Sequence, residues 1–353
     1  MAIGAFIGTG RELEPALERV RLAESLGYES VYVTHIAARD SLTVLTRYAT
    51  VTERIRLGTG VLPIFSRTPA SCAQTAATID EISGGRMVLG LGVSHRLTVE
   101  NWFDSEITKP VTQMREYAGI VRAVLRGEEA PEGEFFNSKF AFMGYPPRPG
   151  LPIYIAALSP KMLQLAGEIG DGVMLWLCNP DYIRETVIPE VTKGRERAGK
   201  SMEGFDVVAA IPTAVTDDPE AARNAFRKDL IPYASLPFYR SVLERSGFGA
   251  DLAAFDDGTA AGDVPRALAG LSDELLGSLV GIGSPEDARA KVREYAEAGA
   301  TSPCIGGIPG TGFDAALEAV ADLIVSCGGA VAVVAAEEPE PAEQPRHAPF
   351  PTR

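Results

Sequence analysis

A (β/α)8 barrel is the fold class this sequence predicts, and three observations predict it. Apolar runs suited to strands buried on both faces alternate with amphipathic helical stretches through most of the chain. Many of the strand-like runs end in small residues, at Ile7-Gly8-Thr9-Gly10, Gly58-Thr59-Gly60-Val61, Gly90-Leu91-Gly92-Val93, Ala156-Ala157-Leu158-Ser159 and Ile305-Gly306-Gly307, as strands opening onto one shared cavity would. Eight strand-helix units can be counted, the number that closes a parallel barrel. A doubly wound sheet is the runner-up. It ordinarily has fewer strands and one fingerprint loop, and Gly8-Thr9-Gly10 lacks the third glycine, position 13 being Leu13.

Taken in order, Ile3 to Gly8 reads as a strand, and Leu13, Leu17, Val20 and Leu22 mark an amphipathic helix that closes at Gly27. Strand Ser30 to His35 leads through the N-cap Asp40 into a helix from Ser41 to Thr52, and strand Ile55 to Ile64 follows. Thr68-Pro69 opens a helix ending near Ser83, and Arg86 to Val93 is the next strand. Val111, Met114, Ala118, Val121 and Leu125 recur on one face of a helix from Pro110 to Arg126. Between Gly127 and Leu151 the alternation breaks, and the aromatic Glu134 to Phe142 stretch reads as a short hairpin. Strands Pro152 to Ala157, Gly172 to Leu177, Phe205 to Val215 and Ser302 to Ile308 resume it. Cap-then-proline pairs mark the helix starts at Ser159-Pro160, Asn179-Pro180, Asp218-Pro219 and Ser284-Pro285, because proline's missing N–H costs nothing at the first helical position. Pro219 to Gly299 reads as several inserted helices. The expected domain runs from residue 1 to 328, and the Ala-, Glu- and Pro-rich stretch 329–353 is expected to be a disordered tail.

At 353 residues and 46% hydrophobic the chain can bury a large core, and a formal net charge of -14 argues against nucleic acid or an anionic membrane as the main partner. No run reaches the length of a membrane helix, and Met1 is followed by a predicted strand rather than by a secretory signal. Cys72, Cys178, Cys304 and Cys327 stand far apart with no C-x-x-C pair, which fits a reducing, cytoplasmic setting with neither disulfides nor zinc.

In a barrel the chemistry lies at the C-terminal ends of the strands. Of three histidines, His35 ends the second predicted strand and His95 follows the fourth, while His347 falls in the tail. The ordinary alternative for His35 and His95 is a satisfied structural imidazole. A metal hydrolase is disfavoured because neither His-x-His nor H-E-x-x-H occurs. A Schiff-base enzyme is disfavoured because Lys139 and Lys161 stand away from strand ends. Ser159-Pro160-Lys161 has the make-up of an anion site, where a hydroxyl, first-turn N–H groups and an ammonium converge, or of a plain N-cap with a solvated lysine. The glycine-rich loop from Gly306 to Gly312 is a second phosphate candidate or a flexible loop. Arg86 is expected to pair with a nearby carboxylate, and Trp176 to line the pocket or the core.

The run from Thr78 through Asp80-Glu81-Ile82-Ser83-Gly84-Gly85-Arg86 to Gly92, with Gly58-Thr59-Gly60-Val61 and Arg67-Thr68-Pro69 before it, resembles the bacterial luciferase-like monooxygenase superfamily. Within it the chain is most similar to the oxidoreductases that use the deazaflavin coenzyme F-420, and the similarity spans Ile3 to about Leu323. This resemblance implies a barrel binding a flavin-like ring at its mouth, with FMN as the alternative occupant, and a homodimer. Gly60-Val61 matches a position where many members carry a non-prolyl cis peptide behind the ring, and His35 one beside the ring that is often His or Asp. Ala157, Leu158, Ser159 and Lys161 match the loop that holds the cofactor's phosphate. Gly92, Ser94 and His95 match the end of the fourth strand and the loop after it, where other members often carry an acidic residue or glycines.

The reaction so implied is hydride transfer between the deazaflavin and a small organic substrate, an alcohol, an imine or an activated alkene. His35 is the first candidate for moving a proton, imidazole being suited to that work near neutrality. His95, Arg39 and Trp176 are candidate substrate contacts, and Lys161, Arg39, Arg96 or Lys109 would supply a basic patch for an anionic cofactor. The rival activities are an FMN-dependent monooxygenase using oxygen and a non-catalytic flavin-binding protein.

Overall fold

Among the described residues ten strands, all paired in parallel, form a sheet that closes on itself. The computed structural model describes residues 1–326; Cys327, His347 and the expected tail lie outside the described residues. The first half runs β1 (Gly4–Phe6), α1 (Glu14–Ser25), β2 (Ser30–Val33), α2 (Ser41–Ala49), β3 (Arg56–Thr59), β4 (Leu62–Pro63), α3 (Pro69–Ile82), β5 (Met87–Gly92), α4 (Arg96–Phe103) and α5 (Pro110–Arg126). The second half begins β6 (Ile153–Ala156), α6 (Pro160–Ile169), β7 (Gly172–Leu175), α7 (Pro180–Tyr182), a π-helical turn, α8 (Ile188–Arg197) and β8 (Asp206–Val215). It continues α9 (Pro219–Ala234), α10 (Pro237–Arg245), α11 (Gly249–Ala260), α12 (Val264–Gly270), α13 (Asp273–Leu279), β9 (Gly281–Gly283), α14 (Pro285–Glu297), β10 (Ser302–Gly307) and α15 (Phe313–Ser326).

The barrel closes because β10 pairs with β1 at Cys304↔Gly4 and with β8 at Cys304↔Ala210. Strands β3 and β4 act as one stave interrupted at the cis peptide Gly60-Val61, and β9 hooks onto the far end of β8. Eight staves result, the closed (β/α)8 barrel that the alternating pattern predicts.

Strand alternation sends every second side chain inward. Tyr32, Val88, Tyr154, Met174, Val208 and Cys304 fill the interior, with Phe6 and Val61 partly covered above them. Bulk on one stave is matched by its absence on the next: a Cβ on Gly58 would lie 2.6 Å from the Tyr32 ring. At the N-terminal end a polar cluster plugs the barrel, Asp206 accepting from Tyr154 Oη at 2.8 Å and Thr301 Oγ1 at 2.6 Å, with Arg56 3.7 Å away. The open end is therefore the C-terminal one.

The main core lies between the barrel and its surrounding helices, and a second one unites α9 to α13. The region from Pro219 to Gly299 is thus divided. Ala288, Val292 and Tyr295 of α14 belong to the main core, so α14 serves as a barrel helix and α9 to α13 form the added unit.

Three local expectations are corrected. No strand forms between α5 and β6, because the Glu116 carboxylate of α5 accepts the N–H groups of Glu134, Phe135 and Phe136, and Phe136 packs edge-on against Tyr117. Arg86 makes no ion pair among the described residues. Its guanidinium donates to the carbonyls of Ala49, Thr52, Ile55 and Ser83, closing the C-terminal end of α2, while Asp80 pairs with Arg148. The strand from Ile55 to Ile64 is broken, as described above. Helix α4 and the three-residue β9 went unread in the sequence because each is short and lacks a sustained apolar period.

Candidate functional site

The cup at the mouth has an apolar floor. Phe6 and Val61 cap the interior cluster and keep part of their surface exposed, and the neighbouring strand ends are Gly92, Ala156 and Gly306. The fit is close: a Cβ on Gly60 would meet Phe6 at 2.4 Å, and one on Gly92 would meet Val61 Cγ2 at 2.5 Å. Glycine at these two positions leaves the space that Phe6 and Val61 occupy.

His35 follows β2 at the rim and is mostly buried. Its Nδ1 lies 3.1 Å from Ser41 Oγ and accepts the Ser41 backbone N–H at 3.3 Å. Asp40 Oδ2 stands 3.8 Å from the same nitrogen and is engaged by Arg67. Burial holds the imidazole below its ordinary pKa, the Asp40 charge opposing that shift and Arg67 adding to it. Arg39 donates to the carbonyls of Gly10 at 3.0 Å and Arg11 at 2.8 Å, tying the β1–α1 loop to the β2–α2 loop. A cavity of about 280 Å³ lies between this β1–α1 loop, from Gly8 to Glu12, and Pro15, Ala16 and Arg19 of α1, and none of the floor residues lines it.

Across the cup, Ser94 and Leu177 take left-handed backbone angles, φ 61° and 58°, which for non-glycine residues cost about 1–3 kcal/mol and cluster at functional sites. Each flanks a ring. His95 stacks obliquely on Tyr239 at 5.7 Å, Tyr239 meets Tyr233 at 4.9 Å, and Tyr233 meets Trp176 at 5.9 Å. This aromatic wall joins the ends of β5 and β7 to α9 and α10 of the added unit. Burial also lowers the His95 pKa.

Between floor and wall lies the start of α6. Asn179, Asp218 and Ser284 use their side chains to cap their helices, but the Ser159 hydroxyl makes no cap hydrogen bond. The next ammonium, Lys161, is exposed and has no carboxylate partner among the described residues. Arg96 and Lys109, also candidates for a basic patch, are paired with Glu100 and Glu134. Ala157 is buried and Leu158 half-buried, its carbonyl accepting from Tyr182 Oη at 2.8 Å.

The structure thus gathers Gly60, Val61, Gly92, His35, His95, Ser159 and Trp176 on strand ends around one mouth. Sequence reasoning missed Tyr233 and Tyr239, which lie in helices without a motif and reach the mouth only through tertiary packing. It also missed the role of Ser41, for which a non-proline helix start is no signal, since α1, α4, α11 and α13 begin without proline as well.

Comparisons with known proteins agree with this architecture. Residues 1–302 match the profile described as luciferase-like monooxygenase. A 5,10-methylenetetrahydromethanopterin reductase of Archaeoglobus fulgidus is 35% identical over 294 residues, covering 81% of this chain and 87% of that protein. The enzyme of the same name from Methanolobus tindarius is 30% identical over 316 residues, 86% of this chain and 94% of its own length. The solved structure of coenzyme F-420-dependent tetrahydromethanopterin reductase from Methanopyrus kandleri superposes with a TM-score of 0.78 at 25% identity, covering 92% of this chain and 99% of that one. The chain belongs to the luciferase-like monooxygenase family.

Proposed function

We propose that this protein is a coenzyme F-420-dependent oxidoreductase that moves a hydride between the deazaflavin and a small organic substrate, an alcohol, an imine or an activated alkene. The observation that carries the reading is an apolar floor of Phe6 and Val61, given room by Gly60 and Gly92, beside an uncommitted anion site, in a chain 35% identical to a methylenetetrahydromethanopterin reductase. The residues present fit such a cofactor. Phe6 and Val61 offer an apolar floor for a ring, and the free Ser159 hydroxyl, the first-turn amides of α6 and Lys161 suit a phosphate. When bound, the deazaflavin supplies the two-electron hydride chemistry.

The chain's own groups bind, orient and exclude water. Val61 and Gly92 set the depth of the ring, and Arg39 holds the β1–α1 loop at the rim. The wall of His95, Tyr239, Tyr233 and Trp176 shields the substrate side and offers flat surface to a planar or alicyclic substrate. His35 is placed to hold a polar atom of the substrate. A homodimer is the proposed assembly, supported by Leu97 and Trp102, which α4 leaves 70% and 53% exposed. A cytoplasmic setting is proposed with it, supported by the buried free thiols Cys72, Cys178 and Cys304.

Fluorescence titration with coenzyme F-420 and with FMN, each oxidised and reduced, tests the reading. Selective deazaflavin binding, followed by turnover of a methylene-tetrahydropterin or a secondary alcohol, supports it. Binding of FMN alone would replace it with an oxygen-using monooxygenase, and binding of neither would overturn the site.

A further inference from the structure

We propose that the backbone amide of Ser41, at the first position of α2, is a positioning group that locks His35 as its Nε2–H tautomer. The imidazole then meets the substrate as a neutral hydrogen-bond donor and favours a substrate whose reacting group accepts a hydrogen bond, a carbonyl or an imine. The substrate part rests on the proposed oxidoreductase reading, whereas the tautomer rests on geometry alone.

A backbone N–H can only donate, so the nitrogen it meets must present a lone pair. Ser41 N lies 3.3 Å from His35 Nδ1, and Ser41 Oγ, at 3.1 Å, is a second donor available to the same atom. The single proton of the neutral ring is thereby placed on Nε2. That nitrogen has no hydrogen-bond partner among the described residues.

The sequence keeps this amide, as it does at Glu14 of α1, where several other helices have none. Helices α3, α5, α6, α9 and α14 start with Pro69, Pro110, Pro160, Pro219 and Pro285, residues without an N–H. Helix α2 starts with Ser41 after the cap Asp40, and its amide is the one that the histidine uses.

The charges facing His35 do not reverse this. Asp40, 3.8 Å from Nδ1, would by itself draw a proton to that atom. Its Oδ1 is occupied by the N–H and hydroxyl of Thr43, both at 2.8 Å, and its Oδ2 by the guanidinium of Arg67, which comes from the loop before α3. The positive end of α2 further disfavours an imidazolium. A neutral imidazole gives up its remaining proton only at very high pH, so its service is to polarise an acceptor, not to abstract a hydroxyl proton.

Two-bond proton–nitrogen spectra of the cofactor-free protein test the tautomer, with His35→Gln identifying the resonance. The expected result is a bare Nδ1 and a protonated Nε2 at neutral pH. Ser41→Ala, which keeps the amide, should preserve that pattern. Ser41→Pro removes the amide at a position where proline suits a helix, and Asp40, at φ -61° and ψ 120°, already has the backbone that a following proline requires. This variant should show mixed tautomers and a titration midpoint shifted up towards the ordinary value of about 6.5. With reduced coenzyme F-420 its kcat for a carbonyl or imine substrate should fall in proportion to the fraction of the ring left as the Nε2–H tautomer, with cofactor affinity unchanged.

A protonated Nδ1 in the unaltered protein, or an unchanged tautomer in Ser41→Pro, overturns the proposal. The unaltered protein's spectrum decides by itself if Ser41→Pro does not fold. Failure to bind coenzyme F-420 would instead remove the functional reading and leave the tautomer result standing.

Discussion

The Thr59 hydroxyl donates to the Gly90 carbonyl at 2.7 Å and accepts the Gly90 N–H at 2.9 Å. It thereby replaces the backbone pairing that lapses between the β3–β5 and β4–β5 registers. The hydroxyl is wholly buried, so nothing else can satisfy those two groups. Thr59→Val keeps the shape and removes both bonds. It should lower stability by about 1–3 kcal/mol in urea unfolding, with Thr59→Ser retaining most of it. An unchanged midpoint for Thr59→Val would mean that the stave does not depend on this bridge.

Gly92 is the position where the floor leaves no room. An added Cβ would stand 2.5 Å from Val61 Cγ2, and valine has little χ1 freedom with which to retreat. Gly92→Ala should push Val61 into the cup and weaken deazaflavin binding by tenfold or more while the protein still folds, as read by fluorescence titration beside circular dichroism.

Two serines at helix starts should behave oppositely. Ser284 makes a full capping box with Asp287, so Ser284→Ala should cost about 1 kcal/mol of stability and leave cofactor affinity alone. Ser159 caps nothing, so Ser159→Ala should leave stability within about 0.5 kcal/mol. It should nonetheless reduce affinity for an anionic cofactor roughly tenfold, the worth of a hydrogen bond to a charged group. Equal effects in both assays would remove the anion site.

The aromatic wall should govern the substrate more than the cofactor. Tyr239 touches both His95 and Tyr233, so Tyr239→Ala should open the wall and raise KM for substrate several-fold, with cofactor Kd little changed. Tyr239→Phe should behave nearly as the unaltered enzyme if the ring, not the hydroxyl, is what the wall uses.

Stability should fall on the acid side. His35 and His95 are both held below the ordinary imidazole pKa by burial, so near pH 6 the unfolded chain binds protons that the folded protein refuses. Their contribution is complete above about pH 6.5 and is lost as the pH falls through the lowered folded-state values. Urea midpoints between about pH 7 and 5 should therefore decline, and the double variant His35→Gln with His95→Gln should flatten that slope.

What could be read along the chain was what neighbouring residues decide among themselves. Asp40, Thr68, Asn179, Asp218 and Ser284 announce helix starts because a cap bonds an amide two or three positions away, and each does so here. The alternation of buried strands and amphipathic helices is equally local, and the closed barrel follows from it. The family's motif around Gly84 to Gly92 pointed to the mouth for the same reason.

Distance in sequence hid the rest. The aromatic residues from Phe135 to Phe142 read as a hairpin because alternation alone does not say whether a partner strand exists, and the Glu116 carboxylate claims the amides that a hairpin would pair. Arg86 looked like half of an ion pair, yet carbonyls more than thirty residues away surround it. Trp176, Tyr233, Tyr239 and His95 come from four separate segments and become one wall only when the added helices dock on the barrel. The sequence by itself determined the staves, the caps and the glycines at the strand ends. Tertiary packing alone decided which side chains those glycines accommodate and which hydroxyls and amides remain free for a ligand or a histidine.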